Sequence, residues 1–323
     1  MKYIRTIFLV IFIFILGGCT AASKMPLSKT GFYFDTIVTI TLYDTQDENI
    51  LKECFSLCAD FEKKLSRTIA DSEISRINDA AGQPVEVSDL TIEVIKKGIY
   101  YSELTSGAFD ITIAPLSSLW DFKSSKPILP SQVQIDEALT HVNYQTIKIE
   151  KNTVTLMDPK AAIDLGGIAK GYMADLLKDY LLSQGVEKAI INLGGNILTI
   201  GTKPNGKPFS VGIQKPFADH NTPMTAVSSK DSSVVTSGVY ERYFKLNDKI
   251  YHHILDTSTG YPCDNNLYSV TILSEKSVDG DALSTACFTL GLENAITLIQ
   301  TLDNIEAIFI TNNYEVIDTR IVN

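Results

Sequence analysis

The chain is expected to fold as an α+β body of antiparallel sheets with packed helices, and three observations predict this. Alternating apolar segments recur in pairs around short turns: Thr146 to Met157 around Lys151-Asn152, Arg242 to Leu255 around Asn247-Asp248, and a closing pair around Asn312-Asn313. That is the pattern of antiparallel hairpins. Helical segments interrupt these pairs in blocks instead of alternating with single strands, which argues against a doubly wound parallel sheet. No internal repeat or low-complexity linker divides the chain, so one integrated body is expected.

Lys2 and Arg5 precede an apolar run from Ile7 to Leu16, closed by Leu16-Gly17-Gly18-Cys19. At about 1.5 Å per residue the run falls well short of a ~30 Å hydrocarbon core, so it reads as the apolar part of an export signal. Its Leu-x-x-Cys ending resembles the bacterial lipobox. That resemblance implies a signal peptide over 1–18, a lipid on Cys19, a membrane tether over 19–30 and a body over 31–323, held on the extracytoplasmic face of the cell membrane. The 323 residues carry a formal charge of −10, and loss of Lys2 and Arg5 takes it to −12. An acidic body excludes nucleic acid as a natural partner, since it would approach phosphates against its own field.

In chain order, Gly31 to Tyr43 alternates and is expected as the opening strand, with Phe32, Phe34, Val38, Ile40 and Leu42 on one face. Asp47 can cap a helix from about Asn49 to Lys64, whose Cys54 and Cys58 are expected as buried thiols. A polar loop through Asp71-Ser72 enters a short helix. Another helix runs from about Leu90 to Thr105, capped by Ser88 or Asp89, and stops at Gly107. Ser131 starts a small helix ending near Thr140. After the hairpin at Lys151-Asn152, a helix from about Ile168 ends at Gly185. Strands over 189–192 and 197–200 flank Gly194-Gly195-Asn196, and Pro204-Asn205-Gly206-Lys207 reads as a hairpin turn. The chain closes with a strand (268–273), helices over 278–290 and 293–302, and the last hairpin.

The chemistry centres on Ala162-Ile163-Asp164-Leu165-Gly166-Gly167-Ile168-Ala169-Lys170-Gly171-Tyr172. A short apolar strand, an acid, two glycines and a helix start with Lys170 in its first turn suit a phosphate-bearing ligand, whose anion the helix amides can hold. Paired glycines also serve plain packing. The loop is not a Walker A motif, because Gly171 follows Lys170, and G-x-G-x-x-G spacing is absent. Ile168, Tyr172, Leu176 and Leu177 form the expected apolar face of the helix.

Asp281 and Thr285 sit one helical turn apart. Both are hard oxygen donors of the kind Mg2+ takes, with water and phosphate completing its shell. A plain helix acid beside a solvated hydroxyl is the alternative. His252 and His253 alternate faces on a strand, so one of them can address a site. Val235-Thr236-Ser237-Gly238 can bring small groups and backbone against a flat ring, or simply leave a strand.

Together these stretches resemble the ApbE family of flavin transferases, in the family's order. The series is Phe34-Asp35-Thr36, Leu65-Ser66 with Ser72 to Asn78, Ser106-Gly107-Ala108-Phe109-Asp110, Asp164 to Gly171, Asn192 to Asn196, Thr236-Ser237-Gly238, His253-Ile254-Leu255-Asp256 with Thr259-Gly260, and Asp281 to Thr285. The resemblance spans nearly everything after the tether. It implies an ApbE-like body with a T-fold-related core that binds FAD and Mg2+ and moves FMN onto a Thr or Ser hydroxyl of an exported protein, releasing AMP. Ala108, Phe109, Asp110, Asp164 and Lys170 would contact FAD, with Ser237, Gly238, His253 and Ile254 near the flavin. Gly167 through its carbonyl, Asp281 and Thr285 would hold the metal, with Ser284 assisting. His253 and Asp281 would be catalytic. Two departures stand out: Phe34-Asp35-Thr36 replaces the Met-Gly-Thr of many relatives, and Thr68 falls where many have a Tyr. An FAD pyrophosphatase and an FAD carrier without turnover are the competing readings.

Overall fold

A computed structural model describes residues 25–122, 124, 127–219 and 222–321. The expected signal peptide and Cys19 lie outside the described residues. One eight-stranded antiparallel sheet organises the body. In spatial order its strands are Leu27–Tyr33, Thr36–Leu42, Ala189–Leu193, Asn196–Ile200, Ser233–Gly238, Leu267–Ser274, Glu306–Thr311 and Val316–Asp318. The expected fold class, α+β with antiparallel sheets and packed helices, is the one observed.

The opening segment differs from its expected single strand. Leu27–Tyr33 and Thr36–Leu42 form a hairpin in continuous register, turned by Phe34 and Asp35 at φ of 54° and 58°. Two consecutive positive φ values match the strand twist, but with Phe at the first position and no Gly or Asn, Asp35 is the sole turn signal in the sequence. Val38, Ile40 and Leu42 are fully buried, while Phe32 is exposed. The first strand starts at Leu27, so residues 27–30, expected as tether, are part of the hairpin.

Helices cover one face of this sheet. Glu48–Leu65 begins where Asp47 accepts the Asn49 amide and buries Cys54, Phe55, Cys58 and Phe61. Cys54 and Cys58 are free thiols, and burial pushes both up to about 12. Helix Ala169–Ser183 buries Met173, Ala174, Leu177 and Leu181, so Tyr172 and Leu176 sit at the margin of the apolar face expected to include them. Against it packs helix Ser277–Leu290, buried over most of its length. The approach is close because Gly171 has no side chain: a Cβ there would lie 2.3 Å from the Ser277 carbonyl oxygen and 2.7 Å from Asp281 Cβ.

Two further expectations change. Ala162 makes only an isolated bridge to Ile113, with no strand around it. The Lys203–Lys207 turn forms, its ends joined by the Lys203 amide and the Lys207 carbonyl, but it joins no hairpin: Phe209–Gln214 pairs with Pro223–Ser229, and Asn196–Ile200 with Ser233–Gly238. The Phe209–Ser229 hairpin instead buries Val211, Ile213 and Val227 with Val234, Ile308 and Ile310 on the other face of the main sheet.

Candidate active site

The glycine turn and the start of helix Ala169–Ser183 meet helix Ser277–Leu290 and the end of strand Ser233–Gly238. Asp281, only 4% exposed, is the junction. Its Oδ2 accepts the Gly171 amide at 2.9 Å, and its Oδ1 lies 3.3 Å from the Lys170 ammonium. Lys170 also donates to the Gly166 carbonyl at 3.1 Å. One turn along the same helix, Ser284 and Thr285 hydroxyls stand 2.9 Å and 3.1 Å from Ser237 Oγ. Ser284 donates back to the Asp281 carbonyl at 3.0 Å.

Gly166 and Gly167 are needed for closeness, not for unusual backbone angles, since neither has positive φ. A Cβ on Gly167 would fall 2.9 Å from the Phe109 ring and 3.8 Å from Thr285 Oγ1. Phe109, buried at 6% exposure, thus lies under the turn, and Thr285 faces it. Gly167, Lys170, Ser237, Asp281, Ser284 and Thr285 are therefore brought together as expected.

Part of the expected amide cradle for an anion is already engaged at the helix start. Gly166 donates to Asp164 Oδ1, Ile168 and Ala169 to the Leu165 carbonyl, and Gly171 to Asp281. Those donors are committed inside the protein; the Gly167 and Lys170 amides are not among them, and the Lys170 ammonium stands beside them.

The remaining candidates ring this centre. Asp164 Oδ2 pairs with Arg67 Nε at 2.9 Å, and Arg67 donates to Ser118 Oγ at 3.0 Å. Asp110 is buried, and its carboxylate accepts from the amide and hydroxyl of Thr112 and the Tyr144 amide. Burial pushes its pKa up against those bonds. It holds its loop in shape, leaving half-buried Ala108 as the more open neighbour. The loop is tied to the glycine turn by the Asp164 amide donating to the Ile111 carbonyl. A second tie runs from the Thr257 hydroxyl to the Gly107 carbonyl at 2.8 Å. Thr68 bonds to Ser66. Gly238 lies beneath the Tyr240 ring, 2.8 Å from where a Cβ would sit.

The two histidines separate as strand alternation requires. His252 is buried with both nitrogens engaged: Nε2 donates to the Cys263 carbonyl at 3.0 Å, and Nδ1 accepts the amide of buried Ile254 at 3.3 Å. Its role is internal. His253 Nδ1 donates to the Arg242 carbonyl at 3.3 Å, which leaves Nε2 with its lone pair. Lost hydration, then the Arg242 charge, pushes His253 down to about 3. Arg242 in turn pairs with Asp35 at the opening hairpin's tip, 3.3 Å away.

Sequence reasoning missed Arg67 and Arg242. Each works through a partner far along the chain, and no local spacing marks such a pair.

Among the described residues no group of three or more His, Cys, Asp or Glu side chains could hold a metal. One carboxylate, hydroxyls and a carbonyl form instead a sparse set of hard donors, which suits Mg2+ completed by water and phosphate.

This geometry has counterparts. Residues 34–309 match the profile of the ApbE family. The chain belongs to the ApbE family. It is 39% identical over 283 residues to the FAD:protein FMN transferase of Klebsiella pneumoniae, covering 87% of each chain. To the enzyme of the same name in Treponema pallidum it is 31% identical over 316 residues, covering 91% of this chain and 87% of that one. Among solved structures, the ApbE protein of Thermotoga maritima superposes with a TM-score of 0.84 at 32% identity, covering 91% of this chain and 97% of its own. The flavin transferase ApbE of Vibrio cholerae gives 0.81 at 28%, covering 91% and 96%.

Proposed function

We propose that this ApbE-family chain transfers FMN from FAD to a Thr or Ser hydroxyl of another exported protein, releasing AMP, with Mg2+ as its cofactor. The observation that carries the reading is the meeting of Asp281, Lys170 and the Ser237, Ser284 and Thr285 hydroxyls at the glycine turn. Relatives named FAD:protein FMN transferase support the substrate.

In the reaction the acceptor hydroxyl oxygen bonds to the FMN phosphorus as the bond to the AMP phosphate breaks. AMP leaves with the electron pair, and the hydroxyl proton passes to a base. Asp281, Thr285 and the Gly167 carbonyl would hold Mg2+, which supplies charge neutralisation on the pyrophosphate. Lys170, 3.3 Å from Asp281, would share the phosphate charge. His253 stays neutral at working pH and offers Nε2 as an acceptor to the incoming hydroxyl. Its depressed pKa makes it a weak base in the free enzyme, and arriving phosphate charge raises its basicity. Ala108, Phe109, Asp110, Asp164, Ser237, Gly238 and Ile254 shape the surroundings of the dinucleotide.

Lipidation at Cys19 and an extracytoplasmic membrane location complete the proposal, supported by the lipobox-like Leu16-Gly17-Gly18-Cys19. Two acyl chains would anchor the protein stably. The activity is tested by following AMP in mixtures of protein, FAD and Mg2+, with and without an acceptor protein. Transferase action requires AMP release that depends on the acceptor. Equal release of AMP and free FMN without acceptor identifies a pyrophosphatase, and intact FAD under all conditions identifies a carrier. The anchor is tested by Cys19→Ala, which should move the protein out of the membrane fraction.

A further inference from the structure

Helices Ala169–Ser183 and Ser277–Leu290 are braced by two carboxylates that cross in opposite directions. Asp281, on the later helix, accepts the Gly171 amide at 2.9 Å. Asp175, one turn beyond Gly171, accepts the Ser277 and Val278 amides at 2.8 Å and 2.9 Å, one turn before Asp281. Helix Ser277–Leu290 has no cap from its own preceding residue, Lys276, so its orphan first-turn amides depend on Asp175. The same turn is held from the sheet side, where Ser277 Oγ donates to Asn196 Oδ1 at 2.6 Å and accepts from Ser233 Oγ at 2.9 Å.

We propose that Asp175 is a positioning residue for the metal and phosphate site: it seats the first turn of helix Ser277–Leu290 and thereby fixes Asp281 and Thr285 against the glycine turn. The inference rests on the functional reading given above. Two points of attachment, Asp175 to residues 277–278 and Asp281 to residue 171, define both the spacing and the rotation of one helix against the other. Loss of the Asp175 attachment leaves the rotation to the sheet-side bonds of Ser277 and the Ser237 contacts alone, and rotation is what swings Asp281 and Thr285 away from Gly167. Side chains that orient metal ligands from behind act through the ligands' affinity, and losing one costs about 10- to 100-fold in metal binding.

Asn at position 175 keeps one acceptor but turns a donor toward the other amide. Asp175→Asn should therefore raise the Mg2+ concentration for half-maximal AMP release about tenfold. FAD affinity, read from flavin fluorescence without metal, should stay within about twofold, because no phosphate-facing group has changed. Ser131→Ala, which removes the cap of the distant helix Gln132–Leu139, serves as a control that lowers stability alone. It should leave the Mg2+ requirement at the wild-type value. Should Asp175→Asn fail to fold, Asp175→Ser, which offers one short acceptor, carries the same expectation. A folded variant with the wild-type Mg2+ requirement overturns the inference, as does an equal shift in Ser131→Ala. A wild-type protein that leaves FAD intact with Mg2+ and acceptor overturns the functional reading instead, and this positioning role with it.

Discussion

The Asp281 carboxylate accepts the Gly171 amide at 2.9 Å across a separation of 110 residues. It ties the one buried acid of the late helix to the first turn after the glycine loop, and the Lys170 ammonium lies 3.3 Å from its other oxygen. An acid so placed has its charge balanced by Lys170 until a cation or phosphate changes the partners.

Asp281→Ala removes the carboxylate and leaves the Gly171 amide unpaired, at a stability cost of about 1–3 kcal/mol. The fold should survive, because the helix around it remains buried. AMP release from FAD should fall about a hundredfold or more, the scale seen when a group aimed at developing charge is lost. Circular dichroism and an AMP assay check the two halves.

Gly171→Ala places a methyl 2.3 Å from the Ser277 carbonyl oxygen, which is backbone and cannot swing aside. Overpacking of this kind costs about 1–3 kcal/mol. A melting curve should show a fall of several degrees, together with weaker Mg2+ binding, since the two helices must part.

The histidines should behave oppositely. His252→Ala opens a buried site and leaves the Cys263 carbonyl and the Ile254 amide without their partner, so the loss should appear in stability. His253→Ala should leave melting nearly unchanged and lower turnover. Because His253 is held down to about 3, the free enzyme's pH profile of kcat/KM should show no histidine limb near 6.5. A limb there that vanishes in His253→Ala would contradict the assignment.

Asp175 gives a pH prediction with a definite sign. Burial pushes its pKa up to about 6, against the bonds from the Ser277 and Val278 amides, with Asp279 adding to the rise and Lys178 opposing it. Tyr101, bonded to Asp279, and Tyr172 complete the titratable groups whose charges bear on this cluster. With the folded value above the unfolded one, the native state holds the proton longer. Stability from this group is therefore present below about pH 4 and lost as pH rises through about 6. Both histidines, shifted down, have the opposite slope, but they are common to wild type and variant. The melting temperature of Asp175→Asn minus that of wild type should accordingly increase between pH 4 and pH 7. A flat difference would show that Asp175 titrates as an ordinary surface acid.

Much of the body was legible in the sequence because its signals are local. Asp47 and Ser131 cap the helices they precede, and Asn247-Asp248 turns the hairpin it interrupts, at φ of 50° and 62°. The opening hairpin was not, since Phe34 is no turn former and the turn is held by outside contacts: the Phe34 amide to Glu62 and Asp35 to Arg242. At the site, residue types and helical spacing pointed to Asp281 and Thr285. What spacing could not reveal was the Gly171–Asp281 contact or the brace at Asp175, both of which depend on which distant element packs where.

FMN transfer by this chain is expected to require both Asp281 and a divalent cation. The direct measurement incubates the protein with FAD, Mg2+ and an exported candidate acceptor, then weighs the acceptor by mass spectrometry. An FMN adduct on a Thr or Ser that disappears with chelator and with Asp281→Ala is the predicted result. An adduct formed equally by Asp281→Ala, or undiminished by chelator, would contradict it.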